Sequence, residues 1–119
     1  MEALEQHRTG NCFYNCGMQM TDQMIFGHGD YQEYTLCHGV ATGTGPIEGV
    51  RYGHAWLEFK GLAFDFTNDQ HKPTAIVPAD QYRRVGRITD IHEYNAAQVR
   101  EMICTHGTWG PWELPEDIL

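Results

Sequence analysis

The stretch from Tyr52 to Thr67 constrains this chain more than any other. It reads Tyr52-Gly53-His54-Ala55-Trp56-Leu57-Glu58-Phe59, then Lys60-Gly61, then Leu62-Ala63-Phe64-Asp65-Phe66-Thr67. In the first arm His54, Trp56 and Glu58 alternate with Ala55, Leu57 and Phe59. In the second, Ala63, Asp65 and Thr67 alternate with Leu62, Phe64 and Phe66. A period of two predicts a pair of strands, each with an apolar face and a more polar one. A two-residue turn at Lys60-Gly61 sets Phe59 opposite Leu62, Leu57 opposite Phe64 and Trp56 opposite Asp65. His54 and Asp65 then become diagonal neighbours on one face, within side-chain reach. A register slip of one residue would send Asp65 to the other face. An imidazole held by a carboxylate is an orienting unit that needs a nucleophile or a metal to act on.

The chain has 119 residues, which predicts one domain over residues 1–119 with a genuine hydrophobic core. No apolar run nears the roughly 20 residues of a membrane-spanning helix. The opening Met1-Glu2-Ala3-Leu4-Glu5-Gln6-His7 lacks the basic and apolar regions of a secretory signal, so a cytoplasmic setting without a membrane partner is expected. A net charge of -8 argues against a nucleic-acid partner, because phosphate binding needs concentrated positive charge. Arg83, Arg84 and Arg87 form the one basic cluster and read as a solvated strand face. Four cysteines without a secretory signal predict free thiols rather than a disulfide framework.

Asn11 is a candidate N-cap for a helix starting at Cys12. Phe13, Cys16, Met20 and Met24 fall at helical spacing and predict an inward stripe, with Gly17 permitting close packing on a sheet. Gly27-His28-Gly29-Asp30 reads as a loop. Tyr34 to Ala41 alternates like a strand, with Tyr34, Leu36, His38 and Val40 on one face and Cys37 on the other. The link Thr42 to Gly49 reads as a flexible connection; no Gly-Lys-Ser/Thr follows it, which excludes a phosphate loop. After the hairpin come a polar turn over residues 68–73, a short strand Ala75-Ile76-Val77 stopped by Pro78, and a strand from Tyr82 to Ile88. Asn95 with Gln98 forms a capping box that opens a helix with Val99, Met102, Ile103 and His106 inward, closed by Gly107. Trp109 and Trp112 are expected on the core or its rim. The whole predicts an α+β domain, an antiparallel sheet with helices packed on it.

The nucleophile that His54 and Asp65 need is Cys12. The first turn of a helix carries free N–H groups and the positive end of the helix dipole, and both favour a thiolate. His54 would exchange the thiol proton, Asp65 would fix the imidazole tautomer, and the Cys12 N–H would be one oxyanion donor. Gln6 and Asn11 are the amide side chains nearest upstream for a second donor.

In this order the motifs Asn11-Cys12-Phe13-Tyr14-Asn15, Gly53-His54-Ala55-Trp56-Leu57-Glu58 and Asp65-Phe66-Thr67 resemble the transglutaminase-like branch of the papain-like cysteine enzymes. The resemblance covers roughly residues 11 to 67. Asn11 stands where many members carry tryptophan, and Asp65-Phe66-Thr67 stands for an Asp-Pro-Thr-like end. It implies a papain-like core, the Cys-bearing helix on a small sheet, and catalytic Cys12, His54 and Asp65. It further implies a peptidase, amidase or acyltransferase that acts through a thioester on a peptide, protein or amide-containing small molecule and needs no cofactor. Trp56 and Asn11 are the expected substrate contacts.

Other readings of the same residues compete. A non-catalytic binding module could keep the fold. Cys16, one turn beyond Cys12, is a second thiol but is expected deeper in the core, where burial disfavours the thiolate. Cys12, Cys16, Cys37 and His38 have zinc-type ligand chemistry but lack the paired spacing of structural zinc sites, so no metal is expected. Glu58 shares the His54 face and would replace Asp65 as orienter in a different register.

Overall fold

In a computed structural model, the described residues are 11–26, 33–67 and 72–118. The hairpin forms as its residue pattern requires. Strands β2 (Arg51–Phe59) and β3 (Leu62–Asp65) pair antiparallel with Phe59 opposite Leu62 and Leu57 opposite Phe64. Lys60 and Gly61 both take positive φ, 50° and 80°, the left-handed pair that a two-residue turn needs to match strand twist.

The sheet grows outward from this hairpin. Strand β1 (Thr35–Thr42) pairs with the other edge of β2 from Thr35↔Glu58 to Thr42↔Arg51. Strand β4 (Ala75–Pro78) pairs with β3, and β5 (Thr89–Tyr94) with β1. Among the described residues the result is a five-stranded antiparallel sheet in the order β4-β3-β2-β1-β5. The Gly-rich link between β1 and β2 carries a 3₁₀ turn at Gly45–Ile47, tied by a bond from Gly43 N–H to the Val50 carbonyl at 2.7 Å.

Helix α1 (Asn11–Phe26) lies on one face. Its Phe13, Cys16 and Met20 are buried against Leu36, Val40, Ala55 and Leu57, as their three- and four-residue spacing predicts. Burying side chains such as Phe13 and Met20 contributes about 1.5–3 kcal/mol each. Met24 and the Gly27–Asp30 loop fall outside the described side chains and residues, as do residues 68–71 of the polar turn. Gly17 packs against Trp109. A Cβ there would lie 2.6 Å from Cε3 of Trp109, so its missing side chain admits an indole. Helix α3 (Ala96–His106) joins the same layer. Its capping box is complete, Gln98 N–H to Asn95 Oδ1 and Asn95 N–H to Gln98 Oε1 at 2.9 Å each, and Gly107 closes it with φ 68°. Val99 faces inward, but His106 is exposed, one turn past the end of the buried stripe.

The opposite face differs from expectation. Residues 82–88 are not a strand: Ala79–Val85 forms helix α2. Pro78 supplies the fixed φ suited to a helix entrance, while Asp80 in the first turn and Arg83 and Arg84 in the last complement the helix dipole. Ala79, Tyr82, Ile88 and Ile91 cover Cys37, Trp56 and Ala63 on this side. Both sheet faces are therefore covered. Among the described residues no helix is long and apolar enough to cross a membrane.

Candidate functional site

The site lies where β2 runs past the end of β3. The β3 ladder reaches only Leu57 to Phe59 of β2, so the first half of β2, with His54, extends beyond it. Cys12 sits in the first turn of α1, nearly buried, and is near enough to the His54 imidazole to help raise its pKa. The carboxylate of Asp65, the last residue of β3, approaches the same ring, Oδ2 lying 3.5 Å from His54 Nε2. Cys12, His54 and Asp65 thus converge.

The Asp-x-Thr ending explains how the carboxylate is held. Thr67 donates to Asp65 Oδ1 from its backbone N–H at 2.8 Å and from its hydroxyl, a local turn that a short acidic side chain favours. Asn15, one helical turn after Cys12, donates its amide to the carbonyls of Phe66 at 2.7 Å and Thr67 at 3.2 Å. The helix bearing the thiol is thereby bonded to the segment bearing the acid.

Tyr82, which sequence reasoning missed, completes the group. Its hydroxyl lies 2.6 Å from His54 Nε2 and donates to Asp65 Oδ2 at 2.6 Å. A signal was present, since Tyr82 follows Ala79 at helical spacing behind Pro78, but the β-forming Tyr, Val and Ile of the stretch masked it.

Charge follows from these contacts. Burial disfavours the His54 imidazolium, yet the nearby Asp65 carboxylate and Cys12 outweigh it and raise its pKa to about 9. Burial likewise favours a neutral Asp65. The adjoining His54, with hydrogen bonds from Thr67 and Tyr82, prevails and holds its pKa well below the usual carboxylate range. Burial and the adjoining carboxylate push the Tyr82 phenol well above its ordinary value, so it stays a neutral donor. The arrangement favours an imidazolium between a thiol and a carboxylate.

The other candidates take different places. Trp56 is fully buried, stacked on His54 at 6.0 Å and tilted against Tyr82 at 5.5 Å. It backs the imidazole and, with no exposed surface, offers none to a substrate; the roof formed by α2 is the reason. Asn11 opens α1, and its side chain is not among those described, nor is Gln6. Glu58 does not orient His54. It accepts from Trp56 Nε1 at 2.8 Å and from Arg83 Nε and Nη2 at 2.8 and 2.9 Å. Cys16 has no exposed surface, and burial raises its pKa well above the ordinary thiol value. Cys37 lies on the opposite sheet face from Cys16 and His38, which separates the zinc-type set. Among the described residues no group of three or more His, Cys, Asp and Glu side chains converges as metal ligands.

A cavity of about 310 Å³ adjoins the ring, lined by His54, Asp65 and Tyr82 and by apolar Ala41, Ala75, Val77, Val85 and Ile88. Tyr52, edge-on to His54 at 6.0 Å, stands at the same cavity. No protein-family model, curated protein or solved structure matches the chain.

Proposed function

We propose that this α+β domain is a cysteine-dependent acyl-transfer enzyme, with a papain-like core of the transglutaminase-like kind. The observation that carries this reading is the convergence of the Cys12 thiol, at the mouth of a helix, with an imidazole backed by Asp65. The roles follow from that geometry. In the reactive form the proton of Cys12 already resides on His54 as the imidazolium, and the thiolate sulfur attacks the carbonyl carbon of an amide. The Cys12 N–H, one of the donors a helix start leaves without an intrahelical partner, faces the developing oxyanion. His54 then returns its proton to the departing nitrogen as the C–N bond breaks, leaving a thioester. Water or an amine attacks the thioester, and the thiol is restored.

The substrate class is a peptide, protein or small-molecule amide bearing an uncharged apolar group. The cavity beside His54 supports that preference. Asp65 is the one charged side chain in the lining apart from His54 itself, and its carboxylate oxygens are engaged by Thr67 and Tyr82.

The test is competitive alkylation with iodoacetamide near neutral pH, followed by peptide mapping. Cys104 is exposed and serves as the internal standard. Buried Cys12 should label ahead of exposed Cys104, and His54→Gln should remove that advantage while leaving Cys104 unchanged. Labelling of Cys104 first, with Cys12 protected as its burial alone dictates, would leave a binding module as the better reading.

A further inference from the structure

The hydrogen bonds around His54 give Tyr82 a task that the order of nucleophile, base and acid leaves out. Nε2 is 2.6 Å from the phenol oxygen but 3.5 Å from Asp65 Oδ2, beyond a good hydrogen bond. The same phenol donates to Oδ2 at 2.6 Å. A phenol has one proton, and here it goes to the carboxylate, so the oxygen serves His54 only as an acceptor. Nε2 must then carry the hydrogen, which leaves Nδ1 as the nitrogen for the Cys12 thiol.

We propose that Tyr82 is a positioning residue, the link through which Asp65 acts on His54. The carboxylate orients and polarises the phenol, and the phenol oxygen holds Nε2–H. A filler role for Tyr82 would need its ring alone, which lies 5.5 Å from Trp56. The hydroxyl is instead held from both ends of its short helix. The Ala79 N–H bonds the Gly61 carbonyl at 2.9 Å, at the hairpin turn, and the Gly86 carbonyl accepts from Thr42 N–H at 3.0 Å, on β1. Arg83, the next residue, clamps Glu58 of β2 with two bonds. Each anchor ties α2 to the strands around the imidazole, so the phenol has little freedom to leave it.

This proposal builds on the acyl-transfer reading, but its measurement needs no turnover. The His54 ring nitrogens are followed by ¹⁵N NMR through a pH titration in the wild-type chain, Tyr82→Phe, Asp65→Asn and the double variant. The same is done for Tyr82→Phe with Cys12→Ala. Tyr82→Phe should lower the His54 protonation constant about tenfold, the size of one hydrogen bond to a charged group. In the Asp65→Asn background it should add less than about twofold, because the two groups act in series. Neutral wild-type His54 should be the Nε2–H tautomer, which is read without any variant. An unchanged titration in folded Tyr82→Phe, independent effects of the two substitutions, or the Nδ1–H tautomer would each overturn the assignment. Persistence of the Tyr82→Phe shift in the Cys12→Ala chain, with no preferential labelling of Cys12, would reject the chemistry and keep the positioning role. Preferential labelling without the shift would do the reverse.

Discussion

Replacing His38 with leucine should make the protein resist acid. His38 is fully buried on β1, with Phe13, Tyr94 and Trp112 rings at 4.8, 5.1 and 4.9 Å. Neither ring nitrogen has a hydrogen-bond partner among the described residues. Burial, and then the neighbouring His92, lower its pKa from 6.5 to about 3. The fold therefore binds the neutral ring, and the unfolded chain takes up a proton that the folded chain refuses. Stability from this group is complete above pH 6.5 and is lost as pH falls toward 3. At 1.36 kcal/mol per pH unit, the loss is about 2 kcal/mol by about pH 5 and nears 5 kcal/mol at the bottom of the window.

His54 and Asp65 titrate in the same protein and must be subtracted. The raised His54 contributes stability below pH 6.5 that is lost as pH rises through about 9, a slope of opposite sign. Comparing His38→Leu with wild type cancels that contribution. Leucine has nearly the volume of histidine and no buried nitrogen to satisfy, so the variant should be no less stable near neutral pH. It should then gain about a further 2 kcal/mol relative to wild type near pH 5. Urea unfolding followed by tryptophan fluorescence at the two pH values measures both. Parallel pH dependence in the two proteins would refute the assignment, because it would mean that His38 is not forced to stay neutral.

Gly17→Ala should destabilise although alanine is the better helix former by about 1 kcal/mol, because overpacking against the rigid Trp109 ring at 2.6 Å costs about 1–3 kcal/mol; a lowered urea midpoint checks it. Asn15→Ala removes both bonds from α1 to the carbonyls after Asp65, one of them buried, and should cost about 1–2 kcal/mol. It should also slow iodoacetamide labelling of Cys12, since the acid and the thiol lose their common anchor. Arg83→Lys breaks a planar two-bond clamp on half-buried Glu58 and should cost about 1–2 kcal/mol by thermal or urea unfolding.

What the sequence showed of this fold followed from rules that act at short range. Lys60-Gly61 is legible because a two-residue turn demands left-handed backbone, and the alternation on either side then has a single register that buries one face. The Asn95 and Gly107 ends of α3 are legible for the same reason: each is completed by atoms a few residues away. The second sheet face was not legible. Tyr82, Val85 and Ile88 favour strands by type, while Pro78, Asp80 and the three-residue spacing favour a helix, and only packing on Trp56 and Ala63 decides between them. Strand β5 escaped notice because its two strongly apolar-facing residues, Ile91 and Tyr94, lie three apart and so on opposite sheet faces, one to each core, leaving neither face an apolar stripe.

The two histidines show why a site cannot be read from burial alone. His38 pairs with Ala55 and His54 with Gly39, so they occupy adjacent rungs of one ladder with their rings on opposite faces. Both rings are nearly or fully buried, and burial pushes both toward the neutral form. One falls to about 3 and the other rises to about 9. The difference lies in the neighbours: aromatic edges around His38, a thiol, a phenol and a carboxylate around His54. Those neighbours arrive from α1, β3 and α2, of which only β3 adjoins β2 along the chain. The hairpin predicted the carboxylate because β3 is one turn away. It had no means of predicting Tyr82, which lies on a helix beyond β4. The polar face of a strand thus became a candidate site where a second layer brought polar partners to it, and the same alternation one strand over produced only core.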